Sequence, residues 1–303
     1  MLRLTLTITI LLIFTISGLA YRSTGHMCYC IGSPPSVDEA SQFEIVIVDP
    51  DETPNQTIEG LHSYGRKVLA YINIGYAENW RDYWNTSGLQ DIVHGETEYE
   101  GEYYVEYWST LWHNIILEAV DEALSSGYDG VYLDNVDAYQ AIEEISPPWA
   151  EGVDLKQAMI DLIALISGHV KSSNPEGLVY VNIGGALRDL DGGSSIAQYI
   201  DGYIREEVLY YSVDVCTNRV ADPFNALIDE GYLAKGTLSG LDVNVVEFVD
   251  GWHEAVIASL FHLAAGAHLI AQPSCDPYYM NPPLRPHSIN SGGGLGGRLA
   301  LPT

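Results

Sequence analysis

The sequence predicts one (β/α)8 barrel (TIM barrel), the α/β fold in which eight parallel strands alternate with helices around a closed sheet. Three observations support this fold class. Eight short apolar, β-branched runs alternate with longer amphipathic stretches. Eight is also the number of strands that closes such a barrel, and no Gly-rich nucleotide fingerprint follows the first run. An open doubly wound sheet, which shows the same alternation, is the alternative.

The predicted strands are rich in Val, Ile, Leu, Ala and Tyr and are bounded by turn residues. In chain order they are residues 27–31, 43–48, 67–74, 130–134, 178–183, 202–206, 243–248 and 267–271. The stretches between several of them repeat apolar residues at helical spacing. These helical patterns cover residues 56–64, 111–125, 155–171, 196–199, 221–230 and 253–265.

Both ends of the chain differ in composition from the predicted barrel, which we place at residues 21–286. Residues 1–20 combine an early positive charge, an apolar run and a small-residue end, as is typical of a secretory signal peptide. If this segment were not cleaved, it would be the protein's contact with a membrane. Residues 287–303 are rich in glycine, which predicts a flexible tail. We therefore expect a secreted protein.

The charge balance narrows the range of partners. The formal net charge is −28, from 41 acidic and 13 basic residues. Nucleic acid is not an expected partner, because phosphate binding needs clustered Lys and Arg. The acidity has two explanations that composition does not separate: a solvated surface suited to a salty medium, or an acidic cleft for a cationic substrate such as an amino-sugar polymer.

The chain contains four cysteines, which could form a disulfide in a secreted protein. They are Cys28, Cys30, Cys216 and Cys275. Outside the cell a disulfide is expected to be stable. Cys28 and Cys30 are too close in sequence to bond each other easily, so a bond from one of them to Cys216 or Cys275 is left open. A Cys-X-Cys metal site is the weaker explanation, because no His or Cys pair follows nearby at ligand spacing.

A recurring pattern supplies the candidate chemistry. Gly127-Tyr-Asp-Gly-Val-Tyr-Leu-Asp-Asn-Val-Asp137 is echoed by Asp201-Gly-Tyr-Ile-Arg-Glu206, since both place a carboxylate four residues after an Asp-Gly pair. Asp134 and Glu206 would then end two strands in equivalent positions on the same face. Glycosidic cleavage needs two such groups, one acid to protonate the leaving oxygen and one carboxylate as nucleophile or base.

The other predicted strands also end in polar residues, and the active site of a barrel lies at these carboxyl ends. The set is Asp49, Asn73, Asp134, Asn182, Glu206 and Glu247. In the third strand, alternation places Tyr71 and Asn73 together toward the barrel interior. In the sixth strand, Glu207 lies on the face opposite Glu206, and the parallel with Asp134 favours Glu206.

The aromatic residues favour a sugar site. The chain has 21 Tyr and 6 Trp against 5 Phe, so its aromatics mostly combine a flat apolar face with a polar edge. Four of the tryptophans, including Trp84 and Trp108, lie in the long connection between Gly75 and Gly127. A connection of this length at the catalytic end of a barrel is expected to cover or shape the site.

Four segments together resemble a known family. They are Val68-Leu-Ala-Tyr-Ile-Asn-Ile-Gly-Tyr-Ala-Glu-Asn-Trp-Arg-Asp-Tyr-Trp84, Gly127-Tyr-Asp-Gly-Val-Tyr-Leu-Asp-Asn-Val-Asp-Ala-Tyr139, Val181-Asn-Ile-Gly184 and Glu206-Glu-Val-Leu-Tyr210. Over roughly residues 26–272 the chain resembles the endo-α-1,4-polygalactosaminidases, glycoside hydrolase family 114, once labelled as extracellular proteins related to cysteinyl-tRNA synthetase.

The resemblance implies a barrel enzyme that is secreted and cleaves a galactosamine-containing polysaccharide. It implies that Asp134 and Glu206 are the catalytic pair and that Asp49 is an acid of the substrate site. The synthetase label has no support in the residues, because the chain lacks a nucleotide fingerprint and begins like a secreted protein.

Two other functions compete with a glycosidase that needs no metal or cofactor. One is a non-catalytic extracellular barrel that binds carbohydrate through its aromatic surface. The other is a metal-dependent esterase or deacetylase. The second is weak because the nine histidines fall mostly in helical or loop patterns, and none lies at ligand spacing beside a carboxylate that ends a strand.

Overall fold

A computed structural model describes residues 26–214 and 217–273. The strands are β1 (Met27–Tyr29), β2 (Ile45–Val48), β3 (Lys67–Asn73), β4 (Tyr76–Glu78), β5 (Val93–Glu96), β6 (Glu102–Val105), β7 (Gly130–Asp134), β8 (Leu178–Asn182), β9 (Gly202–Glu206), β10 (Tyr210–Asp214), β11 (Thr217–Val220), β12 (Asp242–Val249) and β13 (His268–Pro273). The helices are α1 (Val37–Ala40), α2 (Asn55–Ser63), α3 (Thr110–Ser125), α4 (Ala138–Ile145), α5 (Leu155–Ser173), α6 (Pro223–Leu238) and α7 (Trp252–His262).

Eight strands form one parallel sheet in the order β1-β2-β3-β7-β8-β9-β12-β13. The first and last of these strands approach each other, so the sheet curls into a nearly closed barrel with helices between its strands. The structure therefore confirms the predicted (β/α)8 fold. Each predicted barrel strand is present, with its ends moved by at most two residues.

Alternation along the strands divides the core into two layers, as period-two side chains require. The barrel interior is filled by apolar residues from all eight strands. They are Met27, Tyr29, Ile45, Ile47, Leu69, Tyr71, Tyr132, Tyr180, Ile204, Val246, Phe248 and Ile270. Tyr71 is inside, as predicted, and so is Ile204, which shares its face with Glu206. Tyr203 packs in the outer layer between sheet and helices.

The Asp-Gly pairs pin the amino ends of β7 and β9 in the same way. Asp129 accepts a hydrogen bond from the Val68 backbone N–H at 2.9 Å, and Asp201 accepts one from Val179 at 2.8 Å. A Cβ on Gly130 would lie 2.0 Å from the Leu178 carbonyl oxygen, and one on Gly202 would lie 2.4 Å from the Asp242 carbonyl oxygen. The recurring pattern is therefore a device for close strand packing.

Three connections differ from the sequence prediction. The segment after β3 is a small antiparallel sheet, in the order β4-β6-β5, that starts directly beyond the barrel strand. After β9 the chain forms the β10–β11 hairpin. The helix predicted at residues 196–199 is only a 3-10 turn at Ser194–Ile196, whereas α6 continues to Leu238 instead of ending at residue 230.

Several predictions concern residues outside the described ranges. The signal segment at residues 1–20, the glycine-rich tail at 287–303, and both Cys216 and Cys275 lie there. Cys28 and Cys30 are buried. In residues 26–214 and 217–273, no helix combines the length and the apolar character that crossing a bilayer needs.

Candidate active site

Asp134 and Glu206 meet at the carboxyl ends of β7 and β9 through a shared hydrogen-bond donor. The Asn182 side-chain nitrogen, at the end of β8 between them, donates to Asp134 Oδ1 at 3.0 Å and to Glu206 Oε1 at 3.1 Å. Because both oxygens lie near one nitrogen, they are at most about 6 Å apart. The two carboxylates that the repeat predicted therefore face one small volume at the barrel mouth.

The orientation of the Asn182 amide follows from the turn after β8. The Gly184 backbone N–H donates to Asn182 Oδ1 at 3.1 Å, which turns the amide NH2 toward the two acids. Gly184 has a φ of 42°, and a Cβ there would lie 2.3 Å from Asp137 Oδ2. The Gly185 N–H donates to the same Asp137 oxygen at 2.6 Å. The Gly-Gly turn thus holds the bridging amide in place.

Asp134 lies in an enclosed position, with 9% of its surface exposed. The Tyr71 hydroxyl, from the neighbouring β3, donates to Asp134 Oδ2 at 2.7 Å. Burial raises the pKa of Asp134, while the hydrogen bonds from Tyr71 and Asn182 oppose that increase. Burial and the Asp134 charge also raise the pKa of Tyr71 well above its ordinary value, so Tyr71 keeps its proton.

A second bridged pair of acids lies beside the first. Asn73 ends β3 in register with Asp134, and its side-chain nitrogen donates to Glu78 Oε1 at 3.3 Å and to Glu102 Oε2 at 3.2 Å. Both glutamates are buried, and they come from β4 and β6 of the small sheet. Burial raises the pKa of Glu102 to about 7, against the hydrogen bonds from Thr97 and Asn73.

Asp49 follows β2 and is bound by an arginine. Arg81 Nη1 and Nη2 donate to Asp49 Oδ1 and Oδ2 at 2.7 and 2.9 Å, and Arg81 Nε donates to Glu78 Oε2 at 2.6 Å. This fork-shaped pairing of guanidinium and carboxylate is strong and directional. It links Asp49 to the second acid pair, and both of its oxygens already accept hydrogen bonds from Arg81.

The aromatic residues of the long connection are spread over the small sheet and the turns around it. Trp84 packs on Tyr103 at 5.0 Å between ring centroids, and Trp108 packs on Trp149 at 6.0 Å. Both tryptophans are half-buried. The exposed Tyr99, which the sequence analysis did not select, lies near enough to Glu206 for its charge to raise the pKa of the phenol, after burial as the main cause.

Glu247 was predicted to be one of the strand-end residues that line the site, and this interpretation was wrong. Its neighbours Val246 and Phe248 fill the barrel interior, so alternation turns Glu247 outward toward the helices. There it accepts hydrogen bonds from the Leu209 and Tyr210 N–H groups at 2.8 and 2.7 Å. Glu247 therefore holds the segment that follows Glu206.

Glu78, Glu102, Arg81 and Tyr99 were not predicted from the sequence to lie near the site. The acidic run Glu96-Thr-Glu-Tyr-Glu-Gly-Glu102 was visible in the sequence. Its place beside the barrel mouth was not, because it depends on the fold of the small sheet.

One group of side chains among residues 26–214 and 217–273 comes close enough together to hold a metal ion. It comprises His26, Asp242 and His268. These residues lie where strands begin, at the opposite end of the barrel from Asp134 and Glu206. They were not predicted from the sequence, because the carboxyl ends of the strands, and not their beginnings, carry the active site of a barrel. The esterase alternative gains no ligand group beside the two acids from this set.

Solved structures of glycoside hydrolases are similar to this barrel. The glycoside hydrolase domain of PelA from Pseudomonas aeruginosa aligns with a TM-score of 0.67 at 16% identity, covering 84% of this chain and 96% of that one. Ega3 of Aspergillus fumigatus, solved in complex with galactosamine, aligns with a TM-score of 0.63 at 19% identity, covering 86% of this chain and 93% of that one. At such identities the likeness supports the fold alone.

Sequence comparisons extend the likeness to an archaeon. An uncharacterized protein of Methanocaldococcus jannaschii is 30% identical over 69% of this chain, although the alignment spans only 62% of that protein's length. An uncharacterized protein of Deinococcus radiodurans is 29% identical over 57% of this chain and 56% of its own length. The model of the glycoside hydrolase family GH114 matches residues 22–255, so the chain belongs to that family of glycosidases.

Proposed function

We propose that this glycosidase is secreted and cleaves an α-1,4-linked, galactosamine-containing polysaccharide with Asp134 and Glu206 as its catalytic pair. The observation that carries the proposal is the Asn182 bridge, which brings two strand-end carboxylates to one point at the barrel mouth. Membership of GH114 supports the reaction class. The signal-like residues 1–20 support export, and the galactosamine bound to the structurally similar Ega3 supports the substrate.

The surroundings of the two acids support different roles. Asp134 accepts hydrogen bonds from two donors, the Asn182 NH2 and the Tyr71 hydroxyl. Donors of this kind favour the ionised carboxylate, which is the form of a nucleophile. Glu206 is only half-buried, and the Tyr71 hydroxyl donates to Asp134 and not to Glu206. We assign Asp134 as the nucleophile and Glu206 as the general acid.

The spacing favours retention of the anomeric configuration. The bridged oxygens are at most about 6 Å apart, whereas inverting glycosidases separate their carboxyl groups by roughly 6.5–9.5 Å to admit a water molecule. The shorter spacing, about 5–5.5 Å, is that of enzymes that form a covalent glycosyl intermediate. Asp134 would attack the sugar carbon while Glu206 protonates the leaving oxygen, and Glu206 would then deprotonate the incoming water.

The charges around the site fit a cationic polymer. Glu78 and Glu102 add two buried acids next to Asp134, and the nearby cation, Arg81, is already paired with Asp49 and Glu78. Among these residues the acids Asp49, Glu78, Glu102 and Asp134 outnumber Arg81, so the ammonium groups of galactosamine residues would meet an excess of negative charge. With a net charge of −28, the whole molecule attracts such a polymer at low ionic strength.

The test compares three polymers. Purified protein would be incubated with partly deacetylated α-1,4-galactosaminan, with chitosan and with amylose, and the release of oligosaccharides measured. We expect release from the galactosaminan alone, with the α-configuration at the new reducing end seen first by NMR. Asp134→Asn provides the control for contaminating activity.

Two outcomes would contradict the proposal. Release of oligosaccharides from amylose or chitosan alone would show that the substrate is not a galactosamine-containing polysaccharide. Tight galactosaminan binding by both wild type and Asp134→Asn, with no release by either, would support the non-catalytic binding barrel instead.

A further inference from the structure

We infer that His26, Asp242 and His268 form a binding site for a divalent transition-metal ion, best suited to Zn²⁺, which ties the first and last barrel strands together. His26 directly precedes β1, Asp242 begins β12 and His268 begins β13. These strands meet where the sheet order begins and ends. The inference does not depend on the substrate or on the catalytic roles of the acids.

The candidate ligand atoms converge to within small side-chain movements of the spacing that a metal ion imposes. His26 Nε2 lies 2.8 Å from Asp242 Oδ2, and His268 Nε2 lies 3.7 Å from Asp242 Oδ1. One ligand atom from each of the three residues lies within 4.8 Å of the others. Tetrahedral Zn²⁺ with bonds of about 2.0–2.2 Å separates its ligand atoms by roughly 3.3–3.5 Å, so small side-chain rotations suffice.

Hydrogen bonding alone does not account for the position of His268. At 3.7 Å its contact with Asp242 is too long for a hydrogen bond. Its ring nevertheless stacks on His26, with 4.2 Å between ring centroids and 26° between planes. Two imidazoles are thus held side by side with one nitrogen of each facing the same carboxylate. A cation among the three groups explains this arrangement, because each would contribute one lone pair.

The surrounding residues hold these ligands as the outer shell of a metal site does. Glu44 Oε2 lies 2.9 Å from His26 Nδ1, so with the Nδ1 proton shared with Glu44, Nε2 would be the nitrogen that binds the ion. The Tyr180 hydroxyl donates to Asp242 Oδ2 at 2.7 Å. A carboxylate on the far nitrogen of a histidine ligand and a hydrogen bond to a carboxylate ligand are both typical of such sites.

The composition and exposure of the group indicate which ion it binds. Two imidazoles and one carboxylate suit Zn²⁺ and its neighbours in the transition series better than Ca²⁺ or Mg²⁺, which prefer oxygen ligands. The side chains of His26, Asp242 and His268 are 17%, 21% and 41% exposed. An ion can therefore enter from solvent, and water can complete its coordination.

The experiment uses the untagged protein after treatment with a chelator. Zn²⁺ is titrated by calorimetry, Co²⁺ by visible absorption, and thermal unfolding is followed with and without excess Zn²⁺. We expect one equivalent of ion, tetrahedral Co²⁺ bands, and a Tm higher by about 5–10 °C at 100-fold excess over Kd. His268→Gln is expected to weaken Zn²⁺ binding by about 100-fold or more and to abolish the Tm increase.

The matched control is His169→Gln, which removes a histidine paired with Asp121 on the surface at 2.7 Å. It should bind Zn²⁺ like the wild type. Absence of stoichiometric binding to the wild type would overturn the site. So would equal weakening by the two substitutions, or Zn²⁺ binding that survives His268→Gln. Because His268 is partly exposed, His268→Gln should fold, and its Tm without metal checks this directly.

Discussion

Strands β7 and β9 are built alike at their beginnings and differ at their ends. Each begins with an Asp-Gly pair that pins the preceding strand and each ends in a carboxylate. The residue after each carboxylate has left-handed backbone geometry, with φ of 59° at Asn135 and 60° at Glu207. The chain therefore leaves the barrel in the same way after Asp134 and after Glu206.

The surroundings of the two carboxylates are what differ. Asp134 is enclosed and held by Tyr71 as well as Asn182, whereas Glu206 is half-buried. The segment after Glu206 is held from outside the barrel by Glu247 and, through it, by His262. One strand design thus delivers two carboxylates, and differences among their neighbours are the means by which two such groups can take different chemical roles.

The largest expected effect separates the roles of the two acids. Asp134→Asn and Glu206→Gln should each reduce turnover of the polymer by several powers of ten, because neither acid replaces the other. An aryl α-galactosaminide with a good leaving group needs no protonation, so Glu206→Gln should regain activity on it while Asp134→Asn should not. The measurement is kcat on both substrates.

Glu207→Gln is the matched control for that experiment and should change kcat only mildly, because Glu207 lies beyond the strand. The reverse pattern, with Asp134→Asn rescued by the good leaving group, would exchange the two roles. Full activity of Asp134→Asn on the polymer would remove the assigned pair altogether.

Tyr71→Phe removes the hydroxyl that donates a hydrogen bond to Asp134. Loss of a hydrogen bond to a charged carboxylate costs about 1.5–3 kcal/mol, so kcat should fall by about 10- to 100-fold. The hydrogen bond opposes the raised pKa of Asp134. Without it that pKa rises further, and the acid limb of the pH–kcat profile should move to higher pH.

Tyr107→Phe removes a buried hydroxyl that instead donates to the Leu155 carbonyl oxygen and should leave that limb in place. If the acid limb of the pH–kcat profile did not move in Tyr71→Phe, then ionisation of Asp134 would not be what determines that limb.

Gly130→Ala and Gly202→Ala test the glycine of the Asp-Gly pair with which both β7 and β9 begin. Each added Cβ would meet backbone at 2.0 or 2.4 Å, so both substitutions should lower the free energy of unfolding by about 1–3 kcal/mol or more. Gly168→Ala, within α5 and with no atom within 4 Å of the added Cβ, should be neutral or slightly stabilising. Urea unfolding measures all three, and a neutral Gly130→Ala would show that the close packing is not required.

The stabilisation that Glu247 and His262 give to the segment after β9 should be lost at alkaline pH. Burial lowers the pKa of His262, but the hydrogen bonds that its ring nitrogens donate to Glu230 and Glu247 outweigh burial and raise that pKa to about 9. Because the folded-state pKa is above the ordinary value of 6.5, the stabilisation is complete below that value and is lost as pH rises through about 9.

We expect the Tm to fall by about 5 °C or more over that range. The fall should be much smaller in His262→Gln, which cannot titrate there. An equal fall in the variant and the wild type would place its origin elsewhere.

The smallest expected effect concerns Asn135 and Glu207, the left-handed residues at which the chain leaves β7 and β9. A left-handed conformation costs most side chains about 1 kcal/mol, but asparagine adopts it more readily. Glu207→Gly should therefore raise the free energy of unfolding by up to about 1 kcal/mol relative to Asn135→Gly. Denaturant unfolding of both variants measures this difference. Equal effects would mean that contacts of the Glu207 side chain offset its backbone strain.

The sequence predicted the barrel and much of its mouth because both follow from local periodicity. Eight apolar runs implied eight strands, and alternation within them correctly placed Tyr71 on the interior face. The same alternation, applied to β12, would have turned Glu247 outward and avoided the error there. The catalytic roles of Asp134 and Glu206 remain predictions, and so does sugar contact by Asp49, Tyr71, Asn73, Trp84, Trp108 and Asn182.

By itself, the sequence determined the strand count, the facing of residues along each strand and the carboxylate that ends β7 and β9, because these depend on neighbours within a few residues. Tertiary structure alone decided the contacts between distant segments. Arg81 neutralises Asp49 across 32 residues, and Asn73 joins Glu78 to Glu102. His26 meets Asp242 across 216 residues because the barrel closes there. No local pattern encodes such contacts, since they exist only when the sheet has curled.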